Sequence, residues 1–124
     1  MNTDSFKGQV AIVTGAGQGI GFEICRQLAL KGAAVLLNDI DDTLTDNAVN
    51  KIKAEGGNCI GIAGDASGVD FINEMVKQAV KKFDKLTIAI ANAGITLFAD
   101  FFDYTPDSFG KVMQLNLGGS FFLA

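Results

Sequence analysis

The stretch Val10–Gly21, V-A-I-V-T-G-A-G-Q-G-I-G, limits the possible folds of this chain more than any other. Val10, Ala11, Ile12 and Val13 are four apolar residues in a row, the pattern of a short buried strand. Thr14 and a run of alternate glycines end it, and Ile20, Ile24 and Leu28 then recur at helical spacing. Strand, glycine turn and helix in that order bring several free N–H groups to the positive end of a helix. Such an arrangement suits a diphosphate. Gly15 is expected to permit the tight turn, Gly19 to let the phosphates approach the backbone, and Gly21 to let the helix lie close on the sheet. The spacing is T-G-x-x-x-G-x-G. The commoner G-x-G-x-x-G does not fit from Gly15, because Ile20 stands where the third glycine should be. A surface loop or packing turn would use glycines too, but the placement between strand and helix favours nucleotide binding.

At 124 residues the chain is one domain at most, and 48% hydrophobic residues are enough for a core. A net charge of −4 argues against a nucleic-acid or membrane partner, and no apolar run is long enough to span a bilayer. The start, M-N-T-D-S-F-K-G, lacks a basic and apolar leader, so a cytoplasmic protein is expected. Cys25 and Cys59, scattered in apolar patterns, then read as reduced core thiols. The absence of histidine removes His-based triads and most zinc sites, and no metal site is expected.

Taken in order, the pattern predicts strands over Gly8–Thr14, Ala33–Asn38, Asn58–Ala63 and Leu86–Ile90. Helices are predicted over Gly19–Lys31, closed by Gly32, and over Thr43–Glu55, stopped by Gly56 and Gly57. A third should start from a capping-box-like Ser67 and Asp70 and run to about Lys82. Thr105-Pro106 reads as the N-cap and first residue of a last helix. Strands alternating with helices imply βαβ units and a parallel sheet covered on both faces. The last helical pattern is still running at Phe121, Phe122, Leu123 and Ala124, so residues 1–124 are expected to be part of a longer chain.

These residues together resemble the short-chain dehydrogenase/reductase family. The T-G-A-G-Q-G-I-G turn matches its cofactor motif, and Asp65-Ala66 its acidic position after the third strand. Asn92-Ala93-Gly94 matches its N-N-A-G motif, with Ala91 in place of the first Asn. Asn116, in N-L-G-G-S-F-F, matches the helix Asn of its catalytic tetrad. The resemblance covers essentially the whole chain. It implies a doubly wound, Rossmann-type α/β sheet of order 3-2-1-4, an oxidoreductase acting on an alcohol or ketone, and a homo-oligomer, dimer or tetramer. The family's catalytic Ser and Tyr-x-x-x-Lys would follow Ala124. Tyr104 is the only tyrosine here, and Ser108 rather than Lys stands four residues later. The chain is therefore expected to be the dinucleotide-binding half of such an enzyme.

Within that frame Asp39, ending the second strand, should accept from both hydroxyls of an adenosine ribose; its other reading is an acid at the start of the next helix. With no Arg or Lys at Gln18 or Ile40 to attract a 2′-phosphate, NAD is the expected cofactor. By resemblance Asp65 reaches the adenine amino group beside the Ala66 N–H; otherwise it caps the third helix. Asn92, Ala93 and Gly94 should line the crevice between strands one and four, and Ile20 completes the cofactor set. By resemblance Asn116 holds a water that links the catalytic Lys to solvent; otherwise it is an exposed polar position. Phe98, Phe101, Phe102, Phe109, Phe121 and Phe122 read as core and subunit contact. Two other functions use a similar turn: a non-catalytic dinucleotide sensor and an S-adenosylmethionine-dependent methyltransferase. The latter usually carries an acid just before its first glycine, where Val13 and Thr14 stand.

Overall fold

The computed structural model describes residues 4–94 and 105–123. The strands are β1 (Val10–Val13), β2 (Ala34–Asp39), β3 (Asn58–Ala63) and β4 (Ile88–Ile90). They form one parallel sheet in the expected order β3-β2-β1-β4. Between them lie α1 (Gly19–Leu30), α2 (Asp42–Ala54) and α3 (Val69–Phe83). After β4 come α4 (Pro106–Met113), a π-helical stretch Gln114–Gly119, and α5 (Ser120–Leu123).

Alternation along each strand sends side chains to two cores. Ala11, Val13, Val35, Leu37 and Cys59 pack with Cys25 and Leu28 of α1 and Val49 and Ile52 of α2. Ile12 and Leu36 point the other way, onto Ile72, Met75 and Ala79 of α3 and Leu123 of α5. Burying a side chain such as Ile12 or Leu36 completely is worth roughly 1.5–3 kcal/mol, so both faces hold the sheet in register. Gly61 lets α2 lie close on β3, since a Cβ there would stand 2.7 Å from Val49 Cγ2.

Two helix ends follow the chemistry expected of them. Gly32 has φ +102°, its N–H donates to Ala29, and Ala33 donates to Leu28, a Schellman closure of α1. Gly56, with φ +91°, and Gly57 close α2 in the same way on Lys53 and Ile52. Arg26 of α1 reaches Glu55 beyond α2 through two hydrogen bonds, at 2.8 and 3.0 Å.

Other expectations are corrected. The third helix has no capping box: it starts after Gly68, with no side-chain cap. Ser67 lies a residue too early, and its hydroxyl is spent on Asp65 Oδ1 at 2.7 Å. β1 and β4 are shorter than expected. Gly8, with φ +84°, is still in a turn, and the Thr87 side chain rather than a ladder bond accepts from the Val10 N–H at 2.8 Å. The last helical pattern is not one α-helix, because the π-helical stretch interrupts it. Tyr104 and the aromatic residues Phe98, Phe101 and Phe102 lie outside the described residues, as do the side chains of Ser108, Phe109 and Phe121; Phe122 is half exposed.

Candidate functional site

The carboxyl ends of the strands open into a cleft of about 310 Å³. Gly15 and Gln18 come from the turn after β1, Asp39 and Ile40 from the end of β2, and Asp65 and Ala66 from the loop after β3. Asn92, Ala93 and Gly94 line it from the loop after β4. This is the crevice at the reversal of strand order, where open α/β sheets bind their ligands. Asn38, Gly64 and Leu115 also line it, and none of them stood out in the sequence.

The glycine turn is fastened on both sides. The Ala16 N–H donates to the Asn38 carbonyl at 2.7 Å, and the Asn92 side-chain amide donates to the Gly15 carbonyl at 3.0 Å. The Ala93 N–H donates to Thr14 Oγ1 at 3.1 Å. Gly15 has φ +62°, and a Cβ there would stand 2.7 Å from Ala93 Cα. Gly19 has φ +67°, and nothing lies within 4 Å of where its Cβ would be. At Gly21 a Cβ would meet Asn92 Nδ2 at 2.5 Å and the Gly15 carbonyl at 2.7 Å, so this glycine lets α1 start against the residues that follow β1 and β4. Gly19, Ile20 and Gly21 do not line the cleft; Ile20 is 77% exposed and Gly21 is buried.

Gly17, an unspecified position in T-G-x-x-x-G-x-G, has a definite task. Its N–H donates to Asp39 Oδ2 at 2.9 Å, and a Cβ on it would stand 2.8 Å from that carboxyl group. The Asp41 N–H donates to Asp39 Oδ1 at 3.1 Å. The half-buried Asp39 carboxylate is thus held by one N–H on each oxygen, with further acceptor capacity on both. The helix-start role belongs instead to Asp41, whose Oδ1 accepts from the Leu44 N–H at 2.9 Å and caps α2. Asp65 is not the cap of α3. Its Oδ1 accepts from the Ser67 N–H at 2.9 Å and from the Ser67 hydroxyl, a local turn before Gly68.

Asn116 lies in the π-helical stretch and is exposed. A Cβ on Gly94 would stand 3.2 Å from Asn116 Oδ1, so the side chain comes to the rim of the cleft beside Leu115, without lining it. Gly119 seats this stretch on the loop after β3, since its Cβ would meet the Ala66 carbonyl at 2.8 Å.

A parallel sheet with helices on both faces and a cleft of this kind at its switch point is the form of a doubly wound, nucleotide-binding domain. The short chain dehydrogenase family model matches residues 9–124, and the chain belongs to that family of nicotinamide-dependent oxidoreductases. It is 40% identical over 121 residues to trihydroxynaphthalene reductase PfmaI of Pestalotiopsis fici, covering 97% of this chain and 43% of that protein. It is 38% identical over 126 residues to versicolorin reductase stcU of Emericella nidulans, covering 99% of this chain and 48% of that one. A short-chain type dehydrogenase/reductase from Mycobacterium marinum superposes with a TM-score of 0.91 at 26% identity, over 98% of this chain and 49% of that one. The chain thus spans about half the length of the relatives it matches. Family membership decides against the methyltransferase. Among the described residues no helix is long and apolar enough to cross a membrane.

Proposed function

We propose that residues 1–124 are the NAD-binding half of a cytoplasmic, homo-oligomeric short-chain oxidoreductase that converts a small alcohol to a ketone or the reverse. The observation that carries this is the Asp39 carboxylate, fixed by the Gly17 and Asp41 N–H groups in the wall of the cleft. The residues fit a dinucleotide: the open space at the Gly19 Cβ position leaves room for a diphosphate over the start of α1. Asp39 would take the ribose hydroxyls, and Asp65 with the Ala66 N–H the adenine edge. Asn92, Ala93 and Gly94 would flank the nicotinamide half, and Asn116 at the rim would order a water. The bound nicotinamide supplies the hydride donor or acceptor, while this half of the protein contributes position.

A 2′-phosphate beside a carboxylate held in this way meets like charge, at a cost on the order of 1–3 kcal/mol. NAD(H) should therefore bind about 5- to 150-fold more tightly than NADP(H). Calorimetric titration of the protein with each tests this, and equal or tighter NADP(H) binding would sink it. Asp39→Ala should narrow the gap.

A further inference from the structure

Asn38 ends an otherwise apolar run in β2 and is 1% exposed, yet it forms part of the cleft wall. Its side-chain Nδ2 donates to the Ile62 carbonyl at 3.0 Å and to the Gly64 carbonyl at 3.2 Å. Both partners only accept, so the NH₂ group must face them and the amide oxygen must face away. The backbone on either side is fastened too: the Asn38 carbonyl accepts from Ala16 at 2.7 Å and the Asp39 carbonyl from Gly64 at 3.0 Å. The amide is therefore held in one orientation. No donor among the described residues reaches its oxygen, and no fully enclosed side-chain oxygen or nitrogen there lacks a partner. The oxygen is consequently not sealed off, and Asn38 is one of the residues that line the cleft. Asp39 follows it in the chain, and Asp65 follows the Gly64 carbonyl that its amide holds.

We propose that Asn38 is a specificity-determining residue whose fixed amide oxygen accepts an N–H or O–H from the nucleoside part of the ligand. This rests on the dinucleotide reading of the cleft. A buried acceptor that cannot turn favours a ligand bearing a donor at that point and disfavours one bearing a carbonyl or phosphate oxygen there. An adenine nucleoside offers two kinds of donor, the ribose hydroxyls and the exocyclic amino group.

The test is calorimetric titration of the protein, Asn38→Leu and Asn38→Ser with four ligands. These are NAD and its analogues lacking the adenosine 2′-hydroxyl, the 3′-hydroxyl or the adenine amino group. Asn38→Leu removes both roles of the amide at similar volume, while Asn38→Ser keeps a hydroxyl donor for a β3 carbonyl, and far-UV circular dichroism reports folding of each. In the unaltered protein, removing the group that Asn38 holds should weaken binding about tenfold; in the variants the same removal should cost less than about twofold. Which analogue shows this coupling tells hydroxyl from amino donor. Equal penalties in all three proteins for every analogue would overturn the proposal, even if the variants bind NAD more weakly, and would leave Asn38 as a tie between strands. If the unaltered protein binds no dinucleotide, the reading of the cleft itself fails and the proposal falls with it.

Discussion

At Gly21 an added methyl group would press on Asn92 Nδ2 and on the Gly15 carbonyl, two partners already hydrogen-bonded to each other. Neither can move without undoing the junction between the glycine turn and the loop after β4. Gly21→Ala should therefore lower stability by about 1–3 kcal/mol, read as an earlier urea midpoint. Gly19 is the contrasting case, because its Cβ position is empty and only its φ of +67° resists a side chain. Gly19→Val should cost about 1–2 kcal/mol of stability yet weaken dinucleotide binding at least about tenfold. Unchanged affinity would mean that the phosphates lie elsewhere. Asp39 was legible in the sequence from its distance past the turn. Gly17 was not, since its purpose depends on a carboxylate from the neighbouring strand that spacing within the turn cannot reveal.

At the scale of elements, strands, helices and their closures were largely readable. Gly32 and Gly56 act locally, through a positive φ and two backbone hydrogen bonds within one turn of chain. The start of α3 was not readable, because Ser67 had two possible partners and bonded backward to Asp65. Cys25 on α1 and Cys59 on β3 share one core, and both are free. Burial raises the Cys25 thiol pKa, and raises that of Cys59 to about 12. Neither should react with a disulfide reagent at pH 8 until the protein unfolds; rapid labelling of the native state would contradict this. The sign of the pH effect follows. Above about pH 9 an unfolded chain releases thiol protons that the folded one retains, so stability should fall as pH rises toward 12. Urea midpoints at pH 8 and pH 10 check the direction.

For the molecule as a whole, β4 forms one edge of the described sheet, pairing only with β1. Leu117 and Phe122, at 59% and 50% exposed, add apolar surface after it. An open strand edge together with exposed apolar side chains favours association. A chain of these 124 residues expressed by itself should self-associate at micromolar concentration, as light scattering would register. A monodisperse monomer that melts cooperatively would show that the edge is adequately protected.

The sequence by itself determined the order of strands and helices and the class of the fold. Apolar runs, helical spacing and glycine punctuation act over a few residues, and right-handed parallel crossovers leave few ways to assemble them. It also marked Asp39, Asp65 and Asn92 as residues that would meet at one end of the sheet. Only the tertiary structure decided which groups face each other there. Gly17 holding Asp39, Asn92 holding Gly15 and Asn38 holding the end of β3 are hydrogen bonds between residues 22, 77, and 24 or 26 positions apart. Such bonds depend on strand register and on the direction of a side chain at a strand end, and no local pattern along the chain encodes either.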